Sequence, residues 1–228
     1  MRWLLTGMSV VRSEDLYMGN KYISLTFDDG PTLGITDQVL DILEEHNIVG
    51  SFFLIGQQIT DETEYLVKRA YNMGCSIENH SWTHPSMPKL TVEDICKEVN
   101  STTEKIIEVV GEAPKFFRPP YIDYDQKMYD NIDLTFISGH GCFDWEPTVS
   151  AKERIDMVLS AAKPGNIVLL HDMADNDNTV EALKVIIPEL KDQGYEFVTI
   201  RDLFIKSGVT PEANCNYDGA NEIRHNYE

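Results

Sequence analysis

The feature that most constrains the fold of this chain is a repeated alternation of short apolar runs and longer amphipathic segments. From Tyr22 onward, runs rich in β-branched and aromatic residues each precede a segment with helical periodicity. This pattern is typical of a parallel βα architecture, in which each helix returns the chain to the start of the next strand. The predicted strands are Tyr22–Phe27, Ser51–Ile55, Ser76–Glu78, Phe116–Arg118, Leu134–Ser138, Ile167–Leu170 and Phe197–Ile200.

The predicted helix ends agree with this alternation. Two helix starts have the spacing of a capping box, in which a hydroxyl and a carboxylate bind the first free amides. These pairs are Thr91 with Asp94 and Ser150 with Glu153. Gly74, Gly111 and Gly194 each follow a helical run, where a left-handed residue is favoured. Because no dinucleotide-binding glycine fingerprint is present, we predict a single α/β domain, a distorted (β/α)7 TIM-like barrel, rather than an open sheet.

The ends of the chain do not share the pattern. Residues 1–20 precede the first strand, and their apolar run is too short for a secretory leader or a membrane span. We interpret them as an N-terminal extension or a leader remnant. Residues 21–208 form the predicted domain. Residues 209–228 are polar and show no apolar periodicity, which predicts a C-terminal tail or linker.

Charge excludes some partners. With 19 basic and 38 acidic residues, the formal net charge is -19, which would repel phosphate backbones and anionic membrane surfaces. We therefore expect no nucleic acid partner. No apolar stretch approaches the length needed to cross a bilayer, so we also expect no membrane span. The four cysteines match neither a zinc knuckle nor a dense disulfide framework, so the redox compartment stays open. They are Cys75, Cys96, Cys142 and Cys215.

Polar side chains stand at or just after the ends of five predicted strands. A parallel barrel gathers such residues on one rim, because the carboxyl ends of its strands meet there. In chain order they are Asp28 and Asp29, His80 and His84, Arg118 and Tyr121, Asp144 and Trp145, and His171.

The types of these residues indicate hydrolytic chemistry. His80 and His84 can face one divalent ion, and a single carboxylate would complete a three-ligand site that leaves a position for water. Asp144 would favour the protonated form of His171, a proton donor, and Arg118 can orient a carboxylate. Each motif alone has a plainer alternative, namely a solvated turn, surface histidines or a helix cap. Their shared position favours one site.

Together and in this order, the five segments resemble the polysaccharide deacetylases of carbohydrate esterase family 4, the chitooligosaccharide deacetylase homology domain. The resemblance covers about Lys21 to Gly208. The runs Lys-Phe-Phe-Arg-Pro-Pro at 115–120 and Gly-Tyr-Glu-Phe-Val-Thr at 194–199 also resemble bacterial acetyl xylan esterase modules of that family. The resemblance implies a hydrolase that removes acetyl groups from a polysaccharide.

The resemblance also implies a role for each motif. Asp29, His80 and His84 would bind one divalent ion, zinc or cobalt. Asp28 would be the general base that deprotonates the attacking water, and His171 the general acid that protonates the departing sugar atom.

The remaining family positions support these groups. Arg118 would hold Asp28, and Asp144 would tune His171. The backbone amide of Tyr121 would stabilise the oxyanion. The implied substrate contacts, including the pocket for the acetyl methyl group, are Trp145, Leu169 and Tyr121.

Two departures from the family pattern affect loops. Ile122 stands where a glycine usually follows the tyrosine, so the loop beside the oxyanion donor is expected to differ. Gly141 stands where an acidic residue is common. For His140 we favour a structural role in the loop over one in the cleft, and the role of Cys142 is left open.

Several functions remain open at this level. We favour O-acetyl esters on xylan, because of the flanking resemblance and the acidic composition. The alternatives are an N-deacetylase of chitin oligomers or peptidoglycan, and an inactive carbohydrate-binding barrel. A glycosidase is disfavoured, since adjacent carboxylates rarely flank a glycosidic bond. We expect a secreted monomer that is a module of a larger multi-domain enzyme.

Overall fold

The computed structural model describes residues 20–224. The extension predicted over residues 1–20 lies outside the described residues, apart from Asn20. Within them the strands are β1 Lys21–Asp28, β2 Ser51–Leu54, β3 Ser76–Asn79, β4 Phe116–Phe117, β5 Thr135–Ile137, β6 His140–Gly141, β7 Ile167–His171, β8 Tyr195–Phe197, β9 Asn216–Gly219 and β10 Glu222–Ile223. The α-helices are α1 Ile35–Glu45, α2 Glu64–Asn72, α3 Val92–Val110, α4 Gln126–Tyr129, α5 Ala151–Ala161, α6 Asp177–Asp192 and α7 Ile200–Lys206.

The strands from β1 to β5 lie side by side and parallel, and β7 pairs with the other edge of β1. β8 pairs only with the first residues of β1, opposite Lys21–Ile23. The register sets Asp28, the last residue of β1, opposite His171, the last residue of β7. The carboxyl ends of the two strands therefore lie at the same height.

A bend separates β5 from β6, which lie in different parts of the sheet. β5 pairs with β4, whereas β6, which begins three residues after β5 ends, pairs with β7. Gly139 lies at the bend with a φ of 91°, and a Cβ there would come 2.9 Å from the backbone oxygen of Ile167. The distorted (β/α)7 barrel predicted from the alternation is confirmed.

The last predicted strand is corrected. Phe197–Ile200 was expected to be extended, but the strand is Tyr195–Phe197 and Ile200 begins α7. The cause is local, since the Thr199 hydroxyl accepts a hydrogen bond from the amide of Asp202 at 3.1 Å and caps the helix.

The prediction of a polar tail over residues 209–228 is wrong for residues 216–223. β9 pairs in parallel with the free edge of β5 and forms a hairpin with β10, and Gly219 forms a bridge to Asn166. Tyr217 and Ala220 are buried. The segment escaped prediction because backbone pairing with an open edge, rather than apolar periodicity, holds it in place.

Helix α1 illustrates how the longer helices bury an apolar face. In α1 the buried apolar residues recur at spacings of three and four, as an amphipathic helix requires. They are Ile35, Val39, Leu40, Ile42 and Leu43. The predicted caps are present, because Thr91 and Ser150 accept hydrogen bonds from the amides of Asp94 and Glu153. In the part of the chain that the structure describes, no helix is both long and apolar enough to cross a membrane.

Candidate active site

The carboxyl ends of the strands surround a cavity of about 330 Å³. Eight of the ten predicted site residues line it, and the other two, Arg118 and Asp144, are buried behind it. The lining residues are Asp28, Asp29, His80, His84, Pro119, Tyr121, Ile122, Trp145, Leu169 and His171. The barrel thus gathers on one rim the residues that the sequence predicts to act together.

Asp29, His80 and His84 form a compact cluster. One potential ligand atom from each lies within 4.8 Å of the others. Oδ1 of Asp29 lies 3.3 Å from Nε2 of His80 and 3.4 Å from Nε2 of His84. Burial alone would raise the pKa of Asp29, but interaction with His80, followed by the charges of His171 and His84, lowers it to about 2. The carboxylate is therefore ionised and faces both imidazoles.

The tautomer of His80 indicates which kind of ligand this cluster can bind. Nδ1 of His80 lies 2.6 Å from the backbone oxygen of Arg118, which can only accept a hydrogen bond, so Nδ1 carries the proton. In the neutral ring Nε2 is then a bare acceptor that faces another acceptor, the buried Oδ1 of Asp29. That oxygen has no hydrogen-bond partner among the described residues. Acceptors that converge in this way fit a divalent cation, and the bond at Nδ1 is typical of metal-binding histidines.

His84 also fits a neutral ligand. Burial, followed by the neighbouring charge of His80, lowers the pKa of His84, which favours the uncharged ring that binds metals. Its ring lies between those of His80 and Tyr121, with centroids 4.8 Å and 4.5 Å away.

Asp28 is held by a buried cation. Nη1 of Arg118 donates to Oδ1 of Asp28 at 2.5 Å, and both side chains are almost fully buried. Nη2 of Arg118 donates to the Thr26 hydroxyl at 2.9 Å, and the guanidinium lies 4.2 Å from the ring centroid of Phe53. Oδ2 of Asp28 remains on the side of the metal cluster, 3.8 Å from Nε2 of His80.

His171 is paired with Asp144 as predicted. Nδ1 of His171 lies 2.8 Å from Oδ1 of Asp144, and the His171 backbone amide donates to Oδ2 at 2.7 Å. The Thr179 hydroxyl donates to the same Oδ2 at 2.9 Å. Burial lowers the pKa of His171, but the charge of Asp144 and its hydrogen bond outweigh burial and raise it to about 9. The imidazole is therefore protonated near neutral pH.

The loop after β4 carries the predicted oxyanion donor. Tyr121 and Ile122 both adopt left-handed backbone conformations, with φ of 60° and 53°. The departure at Ile122, where glycine is usual, thus coincides with a conformation that glycine adopts easily. Among the described residues, no acceptor is found for the backbone amide of Tyr121.

Aromatic side chains stand on the cavity rim. The ring of Trp145 lies 5.6 Å from that of His171 between centroids, and Leu169 forms the wall beside it. Phe143, which the sequence did not single out, is 55% exposed, and its ring lies 5.4 Å from that of Trp145. The sequence offered no periodic signal for it, because Phe143 lies in a turn after β6 with a left-handed φ of 55°.

Two other residues were left open or unnoticed. His140 does not line the cavity, and its Nε2 lies 3.0 Å from Oε2 of Glu222 in β10.

Asp172 is fully buried beneath the loop after β1, where it accepts a hydrogen bond from the Thr36 hydroxyl at 2.5 Å. Burial, ahead of the nearby carboxylates, raises the pKa of Asp172 to about 7.

Comparison with known proteins agrees with this geometry. The family described as polysaccharide deacetylase matches residues 16–136. A bifunctional xylanase/deacetylase of Pseudobutyrivibrio xylanivorans is 49% identical over 191 residues, which are 84% of this chain and 32% of that protein. A peptidoglycan-N-acetylglucosamine deacetylase of Listeria monocytogenes is 36% identical over 186 residues, which are 81% of this chain and 39% of that protein. The chain thus spans well under half the length of both curated relatives.

Solved structures give the same picture. The Xyl-CE4 domain of a multidomain xylanase from the hindgut metagenome of Trinervitermes trinervoides superposes with a TM-score of 0.87 at 45% identity, covering 89% of this chain and 99% of that one. A family 4 acetyl xylan esterase from Clostridium thermocellum, solved with a cobalt ion, has a TM-score of 0.85 at 38% identity and covers 87% of this chain and 98% of that one. The chain therefore belongs to the polysaccharide deacetylases of carbohydrate esterase family 4, as its five motifs predict.

Proposed function

We propose that this protein is a metal-dependent deacetylase that removes O-acetyl groups from acetylated xylan, with Asp28 as base and His171 as acid. The observation that carries the proposal is the convergence of three metal-ligand side chains with two separately held acid-base groups in one cavity. Asp29, His80 and His84 would hold one divalent ion, zinc or cobalt. When bound, such an ion acts as a Lewis acid and lowers the pKa of water.

The contacts of Asp28 suit a general base. One carboxylate oxygen accepts a hydrogen bond from Arg118, which fixes the direction of the carboxylate. The other oxygen remains on the side of the metal cluster, where it can accept the proton of the attacking water. A base needs a fixed acceptor within reach of the proton that it removes.

The contacts of His171 suit a general acid. Asp144 occupies Nδ1, so Nε2 is the nitrogen left to donate a proton to the departing sugar oxygen. The backbone amide of Tyr121 would stabilise the negative charge that develops on the acetyl oxygen. Each acid-base group thus has its own buried counter-charge, Arg118 for Asp28 and Asp144 for His171.

Aromatic side chains and family relatives support a polysaccharide substrate. The exposed rings of Tyr121 and Trp145 flank the cavity. Leu169 also lines the cavity, and its apolar side chain suits an acetyl methyl group. We favour xylan because one similar protein is described as a bifunctional xylanase/deacetylase and another as the Xyl-CE4 domain of a multidomain xylanase. The second candidate is an N-deacetylase, supported by the similarity to a peptidoglycan deacetylase.

We also propose that the protein is a secreted monomeric module of a longer enzyme, since its relatives are longer.

Acetate release tests the proposal. Protein stripped with a chelator and reloaded with Zn²⁺ or Co²⁺ should release acetate from acetylated xylan faster than from acetylated chitin oligomers or peptidoglycan. Asp28→Ala should reduce that rate about 100-fold or more, because general base catalysis is removed. Faster release from the N-acetylated substrates would favour the second candidate. An unchanged rate in Asp28→Ala, with glycan still bound, would favour an inactive carbohydrate-binding barrel.

A further inference from the structure

The loop from His80 to His84, which carries two of the proposed metal ligands, has an unusual backbone. Ser81 and His84 both adopt left-handed conformations, with φ of 66° and 58°. Residues with a Cβ avoid this region, and such conformations persist only when surrounding contacts hold them. The shape that turns both imidazoles toward Asp29 therefore requires support from side chains that bind its backbone.

That support reaches four consecutive backbone amides, each of which donates to a side chain. The amide of Ser81 donates to Oδ1 of Asn79 at 2.8 Å, and that of His84 donates to Oγ of Ser81 at 3.0 Å. The two amides in the middle, of Trp82 and Thr83, donate to Oε2 of Glu98 at 2.8 Å and 2.7 Å. The Thr83 hydroxyl donates to Oε1 of Glu98 at 2.8 Å.

Glu98 lies in α3, on the outside of the barrel wall. The same helix anchors the start of the loop, because Nδ2 of Asn79 donates to the backbone oxygen of Val99 at 2.9 Å and to the Thr103 hydroxyl at 3.0 Å. The Glu98 carboxylate thus receives three hydrogen bonds from two loop residues. Bonds to a charged acceptor are about twice as strong as neutral ones, so Glu98 makes the strongest single contact to the loop.

The loop carbonyls are fixed from the opposite side. The amides of Gly56 and Gln57 donate to the backbone oxygens of Ser81 and Trp82 at 3.0 Å and 3.1 Å. The ring of Trp82 packs directly against Gly56, where a Cβ would collide with the ring. With its carbonyls held there and its amides held by Glu98, the loop has little freedom to change the direction of the two imidazoles.

We propose that Glu98 is a positioning residue that sets the metal affinity of this site by holding the His80–His84 loop in its ligand-presenting shape. This inference rests on the proposed function, since it presumes that Asp29, His80 and His84 bind the ion. Glu98 itself does not line the cavity. Its effect passes through the backbone of Trp82 and Thr83 to the histidines on either side.

Cobalt affinity of the chelator-stripped protein tests this inference without any substrate. Competition with a chelating dye should give a dissociation constant for Co²⁺ that is about 10- to 100-fold higher in Glu98→Ala, the range typical when groups behind metal ligands are removed. Glu98→Gln should restore much of the affinity, because its amide oxygen can still accept both backbone amides. Glu104→Gln, an exposed residue of the same helix, should bind Co²⁺ like the parent protein.

The outcomes separate this inference from the proposed function. Folded Glu98→Ala that binds Co²⁺ as tightly as the parent would overturn the role of Glu98 and leave the proposed function intact. Equal losses in Glu98→Gln and Glu98→Ala would also overturn it, because the loss would then not depend on an oxygen that accepts the two backbone amides. A parent protein that binds no Co²⁺ would overturn both.

A milder variant covers the case in which Glu98→Ala does not fold. Thr83→Val removes only the hydroxyl bond to Glu98 and should raise the Co²⁺ dissociation constant several-fold, with little change in the unfolding midpoint of the stripped protein. Parent-like Co²⁺ binding in both Thr83→Val and Glu98→Gln would then count against the inference.

Discussion

At the scale of single residues, the site depends on opposite charges buried in pairs. Asp28 and Arg118 form one pair, and His171 and Asp144 form the other. In the second pair, the neighbouring charge of Asp144 favours the ionised form of His171 and raises its pKa to about 9. Both pairs are largely excluded from solvent, so screening of their charges is weak.

We predict that Asp144→Asn lowers the pKa of His171 from its value of about 9 in the metal-free protein. Loss of the adjacent negative charge should lower it by about 1 to 3 pH units. His171 must be protonated to act as an acid. As the pH is raised, the deacetylation rate of the variant should therefore begin to decline at a lower pH than that of the parent. NMR titration of His171 in the stripped protein measures the pKa directly.

Asp156→Asn provides the control for this titration. Asp156 is an exposed carboxylate of α5 paired with Lys152, and its replacement should leave the pKa of His171 unchanged. A pKa of about 9 that persists in Asp144→Asn would show that Asp144 is not the group that raises it.

At the scale of elements, the proposed site residues lie at strand ends and in the loops that follow them. The loops after β1, β3 and β4 all contain left-handed residues other than glycine, at Asp29, Ser81, His84, Tyr121 and Ile122. Such conformations cluster at functional sites when the surrounding structure holds them. The hairpin β9–β10 serves the fold instead, because it covers the edge of β5 that the bend at Gly139 leaves open.

We predict that Tyr217→Ala in β9 destabilises the protein by about 3 to 5 kcal/mol, the usual loss when a large aromatic side chain is removed from a core. The Tyr217 ring packs 5.2 Å from that of Phe204 between centroids and is 2% exposed. Unfolding in denaturant, followed by tryptophan fluorescence, measures the loss. Ile223→Ala in β10, at a residue 37% exposed, should cost far less.

Equal and small effects of these two substitutions would mean that the C-terminal segment behaves as the polar tail that its composition suggests. A large effect confined to Tyr217→Ala would instead identify β9 as part of the cooperative unit.

At the scale of the whole molecule, one ion would connect two loops that lie far apart in sequence. Asp29 follows β1, whereas His80 and His84 follow β3, and the three meet only because β1, β2 and β3 are neighbours. A ligand that binds the folded state alone stabilises it by mass action.

We therefore predict that Zn²⁺ or Co²⁺ raises the unfolding midpoint of the stripped protein. At a free ion concentration one hundred times the dissociation constant, the gain should be about 2.7 kcal/mol. Asp29→Asn should abolish the gain, because the ionised ligand is lost. Thermal unfolding by circular dichroism, with and without the ion, gives the comparison, and an identical midpoint in the parent protein would count against the metal site.

The sequence by itself determined the alternation of strands and helices, the helix caps, and the residue types that stand at each strand end. These properties are local, because period, capping and turn chemistry depend on residues close together in the chain. The barrel rule then placed Asp28, Asp29, His80, His84 and His171 on a common rim without any coordinates.

The tertiary structure alone decided several contacts that no motif indicated. The tautomer of His80 and the hydrogen bonds from the metal-ligand loop to Glu98 depend on contacts between distant segments. The same is true of β9, because its sequence has no apolar periodicity that would indicate its pairing with β5. Local patterns specify what each segment can form, and only the packed chain brings together the donors, acceptors and charges that fix the site.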